Sequence, residues 1–138
     1  MDARTPSAAA RGASRAQGRG IVRAASAAWP SPVLAMVEHR PHAPVALGLA
    51  VVAAGSGPAE AAAVAATAVV TGPASAALRL LGLDPFAVAA LLAPEVDDVA
   101  ARAVAGADLA LDLPAGSAPL LDRLAEAHAR AEVRLLAS

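Results

Sequence analysis

The residues of this chain that could do chemistry are few and unevenly placed. Glu38, His39 and His42 lie close together and offer two imidazoles and one carboxylate, a donor set that a borderline divalent metal can use. Arg40-Pro41 between the histidines favours an irregular loop, which does not preset ligand geometry. His39 and His42 are therefore weak metal candidates, and a polar interhelical loop is the reading the residues favour. His128 stands alone and reads as a packed or interface histidine. Nucleophilic catalysis needs a serine, a histidine and a carboxylate brought together. The serines here sit at helix caps or beside alanine, and no G-x-S-x-G elbow is present. The absence of cysteine removes disulfides, thiolate metal sites and cysteine nucleophiles. All 11 basic residues are arginine, so a P-loop lysine is missing too. Two arginines have a possible contact role. Arg79 is set among Ala and Leu, where it is either an exposed arginine or an interface ion pair. Arg134 suits a helix C-terminus and, flanked by Leu135 and Leu136, has the composition of an interface anchor.

The elements that would carry these side chains are helical. The chain of 138 residues is 57% hydrophobic but 1% aromatic, and alanine makes up roughly a third of it. Alanine is the best intrinsic helix former, and no strand-like alternation or internal repeat is found. The fold class expected is all-α: one Ala-rich bundle of about six helices forming a single domain, with residues 1–10 a candidate disordered lead-in. A buried methyl contributes about 0.8 kcal/mol against about 1.5–3 for a buried Leu or Val. Such a core therefore depends on close helix approach, and marginal stability as an isolated chain is expected. Net charge is −1, with Arg4, Arg11, Arg15, Arg19 and Arg23 near the start and acidic residues dominating later. The absence of stacking aromatics and of a high net charge speaks against nucleic-acid binding. The apolar runs Val45–Ala54 and Ala61–Val70 are each shorter than the roughly 20 residues a membrane span requires. A cytoplasmic protein is the default expectation, and the Arg- and Ser-rich start leaves an organellar transit peptide as the alternative.

Punctuation residues divide the chain. Thr5-Pro6 reads as cap and first residue of a helix reaching Ala28, weakened by Gly12, Gly18 and Gly20. Ser31-Pro32 opens a short helix to Glu38, and Pro44 opens another to Ala54, with Gly55 as its cap. Pro58 and Glu60 begin a helix that passes Gly72-Pro73, where a kink and close packing of small residues are expected, and stops at Gly82. Asp84-Pro85 begins the next, with Phe86, Ala89 and Ala90 as a core-facing stripe and a break or bend at Pro94. Residues 108–116 read as a loop. Ser117 caps the final helix, where Leu120, Leu121, Leu124, His128, Val133 and Leu135 approximate one face.

The ordered blocks Ala16-Gln17-Gly18-Arg19, His42-Ala43-Pro44-Val45-Ala46-Leu47-Gly48, Thr71 to Pro85, and Ala118-Pro119-Leu120-Leu121-Asp122 followed by His128 and Arg134-Leu135 resemble the UreF family of urease accessory proteins. The similarity runs from about Arg11 to Ser138 and is nearest an Ala- and Arg-rich, actinobacterial-like branch. The resemblance implies an all-α protein without enzymatic activity that acts in maturation of nickel urease. It implies a scaffold, typically dimeric, that bridges a UreD-type protein (UreH in some systems) and the GTPase UreG at the urease apoprotein. No cofactor would be bound directly, since nickel and GTP are handled by the partner complex. Family members use the C-terminal segment for partner contacts, which here falls on His128, Arg134, Leu135 and Ser138. Gly72, Pro73, Gly82, Pro44 and Gly48 fall in the matching blocks as structural positions.

The chain departs from the family pattern in three places. The amino-terminal third of the family pattern is missing, which suggests a fragment or a truncated gene product. Leu81-Gly82-Leu83-Asp84-Pro85 stands where many members have a Pro-Leu-Gly-Gln type of turn, so contacts of that Gln do not transfer. The common terminal Phe is Leu136. Two alternatives stay open beside the scaffold: a partner-less structural bundle, and a weak nickel-binding module through His39 and His42.

Overall fold

Side-chain caps, five first-turn prolines and two left-handed glycines set most boundaries of the helices. The structure, a computed structural model, describes residues 1–37, 40–106, 116 and 118–131. Glu38, His39, residues 107–115, Ser117 and residues 132–138 lie outside the described residues. The loop expected at 108–116 therefore falls almost wholly outside them, as do the Ser117 cap and the sites Arg134, Leu135 and Ser138. Among the described residues there are six α-helices and no strand: α1 (Ala8–Ala28), α2 (Pro32–Ala35), α3 (Ala43–Ala53), α4 (Pro58–Leu81), α5 (Pro85–Ala105) and α6 (Pro119–Arg130), preceded by a 3-10 turn at Asp2–Arg4. They fall into two compact units, Met1–Gly55 with Leu113–Ser138, and Ser56–Asp112.

In the first unit α1 packs along α3, with α2 and α6 beside it. Its cap is Ser7, two residues beyond the expected Thr5, and the Ser7 Oγ accepts the Ala10 N–H at 3.0 Å. The glycines of α1 do not break it. Gly18 is buried, and a Cβ there would stand 2.0 Å from the Pro41 carbonyl oxygen. The glycine is what lets the α2–α3 connection lie against the helix. The short helix after Ser31-Pro32 ends at Ala35 rather than Glu38. Pro44 stands in the first turn of α3, and Gly55 follows that helix at φ +85°. The core is small: Ala25, Leu34 and Ala50 are buried together, with Ile21, Val33, Leu49 and Ala53 against them, and Ala46 is fully enclosed.

The second unit is a hairpin of α4 on α5. The Glu60 Oε2 accepts the Gly57 N–H at 2.9 Å and begins α4, while Gly82 at φ +62° ends it. Asp84 Oδ1 accepts the Phe86 N–H at 3.0 Å and begins α5 one residue before Pro85. Both internal prolines are absorbed. Pro73 lies within α4, where the Thr71 and Ser75 hydroxyls donate back to the carbonyls of Thr67 and Thr71 at 2.9 and 2.8 Å. Such back-bonding bends helices without ending them. Pro94 lies inside α5, which continues as helix to Ala105, so of the break or bend expected there the break does not occur. Neither helix has a buried residue. Phe86, expected to face the core, is 84% exposed. The seam between the helices is instead formed by residues such as Ala74, Leu78, Ala89 and Leu92, which leave a cleft of about 430 Å³. Gly72 has no neighbour within 4 Å of where a Cβ would stand, so the close approach expected at Gly72-Pro73 is absent and occurs at Gly18 instead.

The apolar character of α4 also extends further than the run Ala61–Val70. The helix is 24 residues long and has a window of mean hydropathy 1.6, which meets the length and composition of a membrane span. Core helices of soluble proteins meet the same test.

Candidate functional site

Two polar ties organise the first unit. The first joins the N-terminal turn to α1 and α3. Arg15 on α1 donates from Nη2 to both carboxylate oxygens of Asp2, at 2.9 and 2.7 Å. His42, at the start of α3, donates from Nε2 to Asp2 Oδ1 at 2.6 Å. Its other ring nitrogen, Nδ1, is hydrogen-bonded with the Ser14 hydroxyl at 3.1 Å, and Ser14 Oγ also accepts the Ala43 N–H at 3.1 Å. The hydrogen bond from His42, and after it that from Arg15, hold the Asp2 carboxyl below the usual carboxylate range.

By atom types this tie is a serine, a histidine and a carboxylate in sequence, the set that reasoning from the chain alone did not bring together. Nothing in the sequence spacing could have found it, because Asp2 and His42 meet only after α1 packs on α3. Its geometry is that of a clasp. Ser14 lies on a helix whose packing takes up its oxygen and does not line the adjacent cavity, whereas Asp2 and His42 do. A nucleophile must reach substrate beside oxyanion donors, and Ser14 is not so placed. His42 is only 7% exposed, and both ring nitrogens are engaged. A metal at His42 would have to displace Asp2 or Ser14. His39 lies outside the described residues, and no cluster of three metal-ligating side chains occurs among the described ones.

The second tie joins α6 to the start of α1. Glu126 Oε1 accepts the Ser7 hydroxyl at 2.7 Å and the Ala9 N–H at 2.8 Å, and Asp122 Oδ1 accepts the Ser7 N–H at 3.3 Å. The first N–H groups of a helix lack intrahelical partners and favour negative charge. The Ala9 N–H, followed by the Ser7 hydroxyl, lowers the Glu126 carboxyl from its ordinary value. The consequence for α6 is that its leucine face is left outward. Its acidic side meets α1, while Leu120, Leu121 and Leu124 stand 68%, 67% and 55% exposed.

The remaining expected site residues among the described ones divide between the two units. His128 is exposed on α6 in the first unit. Arg79 belongs to α4 in the second unit and donates from Nε to the Ser75 carbonyl at 3.3 Å within its own helix. Gly72 and Pro73 are exposed on α4, Gly82 is its left-handed cap, and Gly48 has open space around it.

Comparison with known proteins decides which family these features belong to. The family model UreF matches residues 1–94. The chain belongs to the UreF family. It is 49% identical over 140 residues to the urease accessory protein UreF of Mycobacterium sp. strain JLS, covering 99% of this chain and 64% of that protein. It is 46% identical to the UreF of Mycolicibacterium vanbaalenii, covering 99% and 63%, and 42% identical over 131 residues to that of Mycobacterium tuberculosis H37Rv, covering 92% and 59%. The chain thus spans less than two thirds of the length of these relatives. No solved structure matches it.

Proposed function

We propose that this UreF-family chain acts in urease maturation as a non-catalytic, cytoplasmic scaffold, and that α6 is a docking face for a UreD-type partner. The observation that carries this reading is the outward apolar face Leu120, Leu121 and Leu124 on a helix whose acidic side is already committed to α1. A soluble chain leaves such a cluster exposed chiefly where another protein covers it. Arg134 and Leu135, with His128 and Ser138, extend this contact toward the C-terminus. Recruitment of the GTPase UreG, and through it GTP-dependent delivery of nickel to urease, completes the proposed role.

The test is co-expression with the cognate UreD-type and UreG-type proteins, followed by pull-down and sizing. Co-purification of both supports the full scaffold, and recovery of the UreD-type protein alone confines the role to α6. Recovery of neither refutes the reading. Leu121→Asp with Leu124→Asp is expected to abolish UreD-type recovery without loss of helical signal. Truncating an interface anchor typically costs about 1–3 kcal/mol, and Arg134→Ala is expected to weaken the same complex by that amount.

A further inference from the structure

The basic residues near the start of the chain are not scattered once α1 has formed. Arg11, Arg15, Arg19 and Arg23 recur at every fourth residue and so follow one another along the same side of the helix. No acidic residue lies on α1. At its N-terminal end Arg11 and Arg15 meet Arg40 from the α2–α3 connection around a polar cavity of about 450 Å³. Two of these guanidinium groups are held in place: Arg11 Nη1 donates to the carbonyls of Thr5 and Pro6, both at 2.8 Å, and Arg15 is clamped by Asp2. Arg40 is exposed and has no hydrogen bond or ion pair with any described residue. Among the described residues these three guanidinium groups are set against one carboxylate, that of Asp2, which holds Arg15.

Arg15 and Arg40 also form part of the wall of a second cavity, of about 680 Å³, whose apolar side is formed by Val33, Met36, Val45 and Leu49. The two cavities share these arginines, so a cationic pocket and an apolar pocket lie side by side within the first unit. Met36 is 85% exposed. Small-molecule sites enclose most of their ligand, and a wall this open does not. An extended segment of a larger molecule can seat one side chain in each pocket and cover Met36 with its backbone. Among the described residues no Phe, Tyr or Trp lines either cavity, and the His42 ring is buried with both nitrogens engaged, so a base-stacking platform for nucleic acid is missing.

From this pairing we propose that the Arg11/Arg15/Arg40 cavity and the adjoining Met36/Val45/Leu49 cavity form a second docking site, which takes an extended acidic segment of a partner protein with a carboxylate in the first and an aliphatic side chain in the second. The site is separate from the α6 leucines and does not depend on the role proposed for them. Charge complementarity selects the occupant: the uncompensated positive charge asks for carboxylates, and the Val, Leu and Met wall asks for an aliphatic neighbour.

The probe is a fluorescein-labelled heptapeptide of alternating leucine and glutamate, titrated by fluorescence anisotropy against the full chain at low salt. Binding is expected to weaken at least about ten-fold with Arg40→Glu and with Met36→Asp. It is also expected to weaken with added salt and to vanish when glutamine replaces glutamate in the peptide. Both substituted side chains are exposed, so helical signal by circular dichroism should match the parent, and Arg40→Lys should retain most of the affinity. Leu121→Asp is expected to leave peptide binding unchanged. No binding of the peptide, or equal binding by Arg40→Glu or Met36→Asp, overturns the proposal. So does Arg40-dependent binding of oligouridylate or of phosphatidylserine vesicles in place of the peptide.

Discussion

Gly18→Ala is the most discriminating perturbation of this fold, because the same substitution elsewhere on α1 should act in the opposite direction. A Cβ at Gly18 would lie 2.0 Å from the Pro41 oxygen, 3.0 Å from the Pro41 carbonyl carbon and 3.1 Å from the His42 carbonyl carbon. All three are backbone atoms, so no rotamer change relieves the overlap. At Gly12 and Gly20 a Cβ would meet nothing within 4 Å. Each replacement gains the same intrinsic helix preference, about 1 kcal/mol. Only Gly18→Ala adds an overpacking cost, about 1–3 kcal/mol for one inserted methyl in a close-packed contact. The gap between Gly18→Ala and Gly20→Ala is therefore about 1–3 kcal/mol, toward the upper end given a backbone contact of 2.0 Å. Urea denaturation measures it. Trp29 is the single tryptophan, stands at the end of α1 and is half exposed, so its fluorescence reports the first unit. With a slope of about 1–2 kcal/mol per molar urea, the two midpoints should separate by about 1.5–3 M. Displacing Pro41 also moves His42, so Gly18→Ala should lose the Asp2–His42 contact as well. If it instead raises the midpoint as much as Gly20→Ala does, the close approach of the α2–α3 connection to α1 is refuted.

Other consequences concern the ties and the caps. Glu126→Ala removes the acceptor of both Ser7 and Ala9 and should speed amide hydrogen exchange in α6 relative to α3; equal protection would show that the tie does not hold α6 to α1. Asp2 and Glu126 have carboxyls lowered from ordinary values of 3.8 and 4.5. The unfolded chain then binds protons first, so their contribution is fully present above those values and is lost as pH falls through the lower folded ones. Acid should loosen the first unit from about pH 4.5 downward, with Glu126→Gln blunting the effect seen by Trp29 fluorescence. Gly82→Ala places a Cβ at φ +62° and should destabilise the α4–α5 hairpin by about 1 kcal/mol, read as a lower thermal midpoint of helical signal.

What could be read in the chain beforehand was whatever is encoded locally. Ser31-Pro32, Pro44, Pro58 with Glu60, Gly82 and Asp84-Pro85 each stand where a helix begins or ends, because cap and proline chemistry acts within one turn. Pro94 left a break and a bend both open, and only packing decides: α5 stays against α4 past it, at Val96. The facing of the helices was not legible. Periodicity marks an apolar stripe on α6 without saying whether it points inward, and here two carboxylates on the other side claim the helix. The site residues were legible only in part. His42 stood out as a histidine beside another, but its partners Asp2 and Ser14 lie far away in sequence, and Gly18 gave no local sign of the carbonyl against it.

The distribution of side-chain size between inside and outside bears on what such a chain is for. Among the buried hydrophobic residues Leu34 is the one large side chain, the others being alanines. Leu81, Phe86, Leu91, Leu120 and Leu121 are mostly exposed. Burying a Leu contributes about 1.5–3 kcal/mol, so the described chain leaves its strongest hydrophobic contributors unused and relies on alanine contacts and polar clasps for its own shape. On the scaffold role proposed above, another polypeptide would complete this apolar surface, and stability and partner binding would then be two readouts of the same contacts. A UreD-type partner that docks on α6 should therefore raise the unfolding midpoint of the first unit by an amount that grows with the logarithm of its concentration above Kd, and Leu121→Asp with Leu124→Asp should remove the rise. A rise of the same size in that variant would show that the exposed leucines are not what the partner covers.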